Sequence, residues 1–212
     1  EGDEAHEVGW RLEIEPKETE WAWGKVYIDD ISVTGPMTYR IDMSLQREEF
    51  GQITPFSFND ASGALEEGML CFTTLSNEYA SGGQAFTGNY YTESGSVEAS
   101  VTVKSGTSAG LLLRGQGCRR YYELGFYEKD RAAIGRYENG IRTELASIPF
   151  RWEHGRTYHL LAEAEGSRLS LLVDGEKLLE ARVDRFSYGM VGVSHAAEGV
   201  SVWSDFRIAG IC

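Results

Sequence analysis

Cysteine is scarce in this chain and poorly placed for its structural uses. Cys71, Cys118 and Cys212 are an odd count without close spacing, which argues against a disulfide framework and against a zinc site. A single bridge stays open, and with it the redox compartment. The four histidines, His6, His154, His159 and His195, are scattered and form neither HExxH nor any paired ligand spacing. No apolar run approaches a membrane span, and no signal peptide opens the chain. Positive charge is short: 20 Lys and Arg against 33 Asp and Glu leave a net charge of -13 and a pI near 4.8. That balance argues against nucleic acid and against anionic membrane surfaces, because phosphate would be repelled at long range. Helical periodicity is missing too; the nearest candidate, RWEHG, is too short. No internal repeat stands out.

What is present is β-structure. Hydrophobic residues make up 42% of the 212, enough for a packed core. From Tyr121 to Arg207 one short alternating segment follows another: YYELGFY, AAIGRY, IRTELASI, TYHLLAEA, SRLSLLV, EKLLEARV, YGMVGVS and VSVWSDFRI. Glu-Asn-Gly, Glu-Gly and Asp-Gly punctuate them, the hairpin-turn chemistry of an antiparallel sheet. Strands in this number predict a β-sandwich or barrel. In SVEASVTV, Val97, Ala99, Val101 and Val103 share one face, with Glu98, Ser100 and Thr102 on the other. Residues 37–95 are less regular. TYRIDMSL and MLCFTTL read as strands, separated by a long Pro55-containing segment and followed by a Gly-, Ser- and Tyr-rich loop.

Residues 1–36 read as a separate β-hairpin, EVGWRLEIE with GKVYIDDISV, ended by Gly35-Pro36. A lone hairpin is unstable in water, so the segment is expected to be the tail of a preceding β-sandwich module, with residues 37–212 forming one complete domain. Trp10, Trp21 and Trp23 would cover the join to a neighbouring domain. The acidic N-terminus reads as a cut from a longer protein.

No nucleophile elbow of the GxSxG type occurs, and neither does the Glu-x-Asp-x-x-Glu strand motif of sandwich-fold glycosidases. A sandwich without such a constellation reads as a binding module. The hairpin LLLRGQGCRRYYELGFY supplies the candidate site. With Leu111, Leu113, Tyr122, Leu124 and Phe126 inward, Arg114, Gln116, Tyr121, Glu123 and Tyr127 fall on the other face. Arg114 and Gln116 would donate to sugar hydroxyls, Glu123 would accept, and Tyr121 would stack on a C–H face. An Arg114–Glu123 cross-strand ion pair on a solvated face is the competing reading. Asn89 and Tyr90, on the loop FTGNYYTES, and His195, at the end of an inner strand, are rim candidates. Asp30 and Asp205 are possible ligands of a structural calcium.

The elements LLLRGQG, YYELGFY, PFRWEHGRTY (Pro149 to Tyr158), the hairpin Leu169 to Ala181, YGMVGV and the closing WSDFRI together resemble bacterial concanavalin A-like (laminin G-like) jelly-roll modules. Modules of this type are appended to glycoside hydrolases, levan-binding ones among them. A narrower resemblance, carried by GKVYIDDISVTGP, MTYRIDMS, AFTGNYY and LLLRGQGCRRYYELGF, is to the C-terminal region of bacterial ADP-ribosylglycohydrolase-like proteins; the helical hydrolase domain itself is not in this chain. The resemblance implies an all-β jelly-roll β-sandwich of two antiparallel sheets with an N-terminal β-hairpin. It also implies non-catalytic binding of an oligo- or polysaccharide within a larger bacterial protein, outside the cell or at its surface. Two alternatives stay open: a glycosidase or lyase with carboxylates gathered from separate strands to within roughly 5–10 Å, and a structural docking module for a catalytic domain.

Overall fold

The computed structural model describes residues 36–74 and 82–211, and a division of the chain between Thr34 and Gly35 places all of them in one unit. The expected N-terminal hairpin, with Trp10, Trp21, Trp23 and Asp30, lies outside the described residues. In chain order the strands are β1 (Pro36–Ile41), β2 (Glu48–Glu49), β3 (Gln52–Ile53), β4 (Ser57–Asn59), β5 (Ala61–Glu66) and β6 (Met69–Thr74). Then follow β7 (Gly83–Thr87), β8 (Ser94–Gly106), β9 (Ser108–Gly115), β10 (Arg120–Tyr127), β11 (Arg131–Glu138) and β12 (Ile141–Pro149). The last five are β13 (Thr157–Glu165), β14 (Arg168–Val173), β15 (Glu176–Arg182), β16 (Met190–His195) and β17 (Gly199–Ile211). Among the described residues the only helical element is a 3-10 turn, Met43–Leu45, capped by Asp42.

Two antiparallel sheets form the sandwich. One runs β15-β14-β13-β8-β17-β6-β5, with β1 also paired to β17; the other runs β12-β11-β10-β9-β16-β7-β4. Strand β17 serves two partners on one edge: Gly199–Trp203 pair with β6 and Phe206–Ile211 with β1. The changeover is marked by a register shift between Ser204 and Arg207 and by Asp205 at φ +56, as a bulge requires.

The turn chemistry works as its residues predict. Asn139-Gly140 joins β11 to β12 and Asp174-Gly175 joins β14 to β15, each a two-residue loop with both φ values positive. That matches the right-handed strand twist and favours Asn, Asp and Gly. Residues 46–68, read from sequence as a long connection, instead carry four short strands, with Glu67-Gly68 as a further two-residue turn. The Gly-rich stretch after residue 82 likewise contains β7, an inner strand between β16 and β4. Short strands rich in Gly and polar residues leave little period-2 signal.

Val97, Ala99, Val101 and Val103 do face the core, as their alternation predicts. They meet Leu111, Leu113, Tyr122, Leu124 and Phe126 of the opposite sheet. The PFRWEHGRTY segment closes one end. Trp152 stacks on Phe126 at 5.4 Å and donates from Nε1 to the Glu128 carbonyl at 2.7 Å.

Strands β9 and β10 are buried along almost their whole length, on both faces. On the outer face this follows from glycines that let long neighbours lie flat. A Cβ on Gly110 would come within 2.8 Å of Glu123 Cγ, and one on Gly135 within 2.8 Å of Arg142 Nε. At Gly192 the obstacle is backbone: a Cβ there would lie 2.0 Å from the Ala85 carbonyl oxygen. Gly192→Ala is therefore expected to cost about 1–3 kcal/mol by forcing β16 from β7, read as a lower urea midpoint at unchanged slope.

Candidate functional site

The outer face of the seven-stranded sheet carries a small apolar cluster, Phe86, Leu112 and Tyr121, with Tyr137 and Met190 packed on it. Tyr121 and Tyr137 sit opposite each other on β10 and β11, and their rings stack at 4.6 Å. Phe86 meets the Tyr121 ring edge-on at 5.9 Å. A polar chain crosses the same face from the β4 edge. Asn59 donates from Nδ2 to Asp60 Oδ2 at 3.0 Å and to Gln84 Oε1 at 3.0 Å, and Gln84 Nε2 donates to the Tyr121 hydroxyl at 3.1 Å. Asp60, Gln84, Arg119, Tyr121, Tyr137 and Asn139 line a cavity of about 200 Å³. Because residues near the β4 edge and from the β9–β10 and β11–β12 turns share one cavity, this face is dished.

Beside the tyrosine pair, Glu123 is buried at 5% exposure. Ser194 Oγ donates to its Oε1 at 2.6 Å, and Arg142 Nε stands 3.8 Å from Oε2. Burial pushes the Glu123 carboxyl above the usual carboxylate range, while Ser194, Arg142 and Tyr137 pull it back. Burial first, and the Glu123 charge second, push the Tyr121 and Tyr137 phenols far up, so both keep their hydroxyl protons. The Arg142 guanidinium caps the Tyr127 ring at 3.6 Å, a cation–π contact. Phe86, Tyr121, Gln84 and Glu123 are themselves buried, so the face presents the half-buried Tyr137 ring with the exposed Asp60, Arg119 and Asn139 around it.

The residues singled out from sequence divide into two groups. Tyr121 and Glu123 share the outer face, as alternation predicts, but both are buried, at 3% and 5% exposure: Tyr121 is stacked on Tyr137 and Glu123 is taken by Ser194, which corrects the stacking and accepting roles expected of them. Arg114 does not join them. It has φ +53, the β9–β16 register shifts beside it between Met190 and Gly192, and only 4% of the residue is exposed. Its guanidinium is taken up by backbone carbonyls: Nη1 donates to Phe186 at 3.1 Å, and Nη2 donates to Glu93 at 3.0 Å and to Gly166. The bulge therefore corrects both the outward donor and the Arg114–Glu123 ion pair; Arg142 pairs with Glu123 instead. Gln116 sits near Arg114 and donates to the Tyr188 carbonyl at 3.1 Å. The Asn89 side chain accepts from Tyr91 N at 2.8 Å, closing its own turn, and Tyr90 lies beside Tyr91 and Tyr188.

His195 does fall in the lining of the same cavity, at the end of β16, but its ring turns away from it. It shares the inward side of β16 with Val191 and Val193, is 1% exposed, and stacks on Phe72 at 5.6 Å. Its Nε2 is 2.6 Å from Ser201 Oγ, which also accepts from Trp203 Nε1 at 2.7 Å. Asp205 accepts from Ser204 Oγ at 2.8 Å. Among the described residues no group of three or more His, Cys, Asp or Glu gathers where a metal could be held. Cys71 is buried and Cys118 exposed, both as free thiols.

Asn59, Asp60, Gln84, Tyr137, Asn139 and Arg142 were not legible as site residues. Asn59-Asp60 and Asn139 read as turn chemistry, and Gln84 sits in a strand without clear alternation. Tyr137 alone carried a signal, its outward phase in AAIGRY. A larger cavity of about 600 Å³ lies on the eight-stranded sheet, with Arg40, Asp42, Glu98, His159, Asp205 and Arg207 in its lining. Its charges largely answer one another: Glu98 faces both His159 and Arg207 at 3.8 Å, and Asp42 accepts from Ser44. Of its two rings, Phe206 is buried and the part-exposed His159 imidazole faces Glu98.

Among the described residues no helix is long and apolar enough to cross a membrane. No family model matches the chain. A levanase from Bacillus subtilis (strain 168) is 27% identical over 151 residues, covering 66% of this chain but only 22% of the levanase. The carbohydrate-binding module CBM66 from Bacillus subtilis superposes with a TM-score of 0.64 at 18% identity, over 73% of this chain and 95% of that one. The GH43 protein BlXynB from Bacillus licheniformis does so with a TM-score of 0.58 at 14% identity, over 80% of this chain and 38% of that one. The narrower resemblance to ADP-ribosylglycohydrolase-like proteins finds no support among them. The likeness they share with this chain is one of fold, and by that measure the chain is a jelly-roll β-sandwich of the kind CBM66 adopts.

Proposed function

We propose that this domain is a non-catalytic carbohydrate-binding module whose site is the dished outer face of the seven-stranded sheet. The observation that carries the reading is the cavity formed by the stacked Tyr121–Tyr137 pair and edged by the Asp60–Asn59–Gln84 chain. The half-buried Tyr137 ring, backed by Tyr121, covers the C–H face of a sugar, while Asn139, Asp60 and Arg119 grip its hydroxyls. Glycoside cleavage calls for two carboxylates set across the scissile bond. On this face Glu123 is held by Ser194 and Arg142, and Asp60 by Asn59, which favours binding over hydrolysis. The net charge of -13 favours a glycan over nucleic acid or an anionic membrane. The levanase match, confined to 22% of a longer protein, fits a module appended to a larger glycan-active enzyme.

The test is calorimetric titration against a glycan panel that includes levan, with the same glycans assayed for cleavage. Asp60→Asn, which retains a residue tolerant of φ +50, is expected to weaken binding about tenfold or more with little change in Tm. Tyr137→Leu is expected to weaken it as much while lowering Tm, because it takes a hydrogen bond from the buried Glu123. Equal affinity in both variants would place the site elsewhere, and turnover of the bound glycan would replace a module with an enzyme.

A further inference from the structure

Tyr90, Tyr91 and Tyr188 form an exposed aromatic group outside the cavity. Tyr91 is 68% exposed and Tyr90 39%. Tyr91 and Tyr188 lie nearly parallel, 27° apart at 6.2 Å, and Tyr90 sits edge-on to both at 5.3 and 5.6 Å. Exposed rings on loops usually need no explanation. Here, however, the backbone beneath them is tied on every side. Asn89 Oδ1 accepts from Tyr91 N at 2.8 Å, and Thr92 Oγ1 donates to the Asn89 carbonyl at 3.1 Å. Gly189 N donates to the Thr92 carbonyl at 3.0 Å, joining the two loops directly. Gln116 holds the Tyr188 carbonyl, and the buried Arg114 guanidinium bridges Glu93 and Phe186, which flank the rings in sequence.

A rigid set of exposed rings has its ordering cost met before any ligand arrives, the condition under which stacking contributes to affinity. From this geometry we infer a second carbohydrate contact: a tyrosine platform that stacks on a further unit of the chain held in the cavity, with Arg114 as its positioning residue. Cys118 and Arg119 of the β9–β10 turn line the cavity, while Gln116 of the same turn anchors Tyr188. One turn thus separates the two contacts. The inference rests on the glycan-binding reading and adds that the ligand is an oligo- or polysaccharide of several units rather than a single sugar.

The experiment compares the full chain with Tyr91→Ala and with Asp60→Asn, each titrated with the polysaccharide that scores highest in the panel and with its mono- and disaccharide fragments. Tyr91→Ala is expected to weaken the polysaccharide about tenfold and to leave the short fragments and Tm unchanged, whereas Asp60→Asn weakens both. Unchanged polysaccharide affinity in Tyr91→Ala, with Asp60→Asn impaired, overturns the platform alone. Equal loss of fragments and polymer in Tyr91→Ala overturns it too, since the rings would then belong to the primary site. Absence of any glycan binding by the parent chain overturns the glycan reading and the platform with it.

Discussion

Arg114→Ala should be the most destabilising polar substitution in this domain, at about 3–5 kcal/mol. The reason is what stays behind. The guanidinium satisfies the carbonyls of Glu93, Gly166 and Phe186, from the β7–β8, β13–β14 and β15–β16 connections. Alanine would leave these carbonyls short of a charged donor at a site where Arg114 is 4% exposed. A hydrogen bond to a charged group contributes about 1.5–3 kcal/mol, and each polar group left unsatisfied in the interior carries its own desolvation cost. Tm should fall by roughly 10 °C for a chain of this size. Arg114→Lys should recover only part of the loss, because an ammonium does not present the planar fork that serves several carbonyls at once. Thermal and urea unfolding check both variants. An unchanged Tm in Arg114→Ala would return the residue to the role of an exposed ligand donor.

The second large effect concerns pH. Burial holds His195 neutral and lowers its pKa from 6.5 to about 4, with the Ser108 backbone offsetting part of this. Between those values the unfolded chain binds the proton that the folded chain refuses. The contribution to stability is therefore complete above about pH 6.5, falls as the pH drops, and is lost as the pH passes through 4, amounting to roughly 3 kcal/mol. The geometry gives the same sign. Ser201 Oγ accepts from Trp203, so its own proton is free to point at His195 Nε2; protonating that nitrogen would set two protons against each other. Glu123 acts in the opposite sense. Its raised pKa favours folding at low pH, and that contribution is lost as the pH rises through the folded value. His195→Gln separates the two, since the amide retains a partner for Ser201 but does not titrate. Unfolding free energies measured at pH 7 and pH 4.5 should drop by about 2 kcal/mol more in the parent chain than in the variant. Parallel pH profiles would show that His195 is not the group responsible.

Both predictions arise where side-chain alternation and the folded structure part company. Period 2 assigns Arg114 to the outward face because Leu111 and Leu113 are inward, and that assignment holds for Leu112, which packs with Phe86 and Tyr121. A bulge adds one residue and turns the next side chain, and no hydrophobic pattern records it in advance. His195 is the reverse case. Its phase with Val191 and Val193 does place it inside, but a histidine in a core is acceptable only with a partner, and Ser201 is supplied by another strand in another sheet.

The sequence by itself determined the class of fold and most of its hairpins. Strand alternation, as in Val97 to Val103, and turn pairs such as Asn139-Gly140 and Asp174-Gly175 act over a few neighbouring residues, so their chemistry is written locally. It also placed Tyr121 and Glu123 on one outward face, since alternation on a single regular strand needs no knowledge of the rest. Tertiary structure alone decided that Gln84 of β7 would reach Tyr121 of β10, that Arg142 and not Arg114 would pair with Glu123, and that Arg114 would hold together loops carrying Tyr91 and Tyr188. Those contacts join residues 19 to 72 positions apart in the chain, where strand order, a bulge and the glycines beneath the side chains set the distance, and none of these is visible in a local pattern.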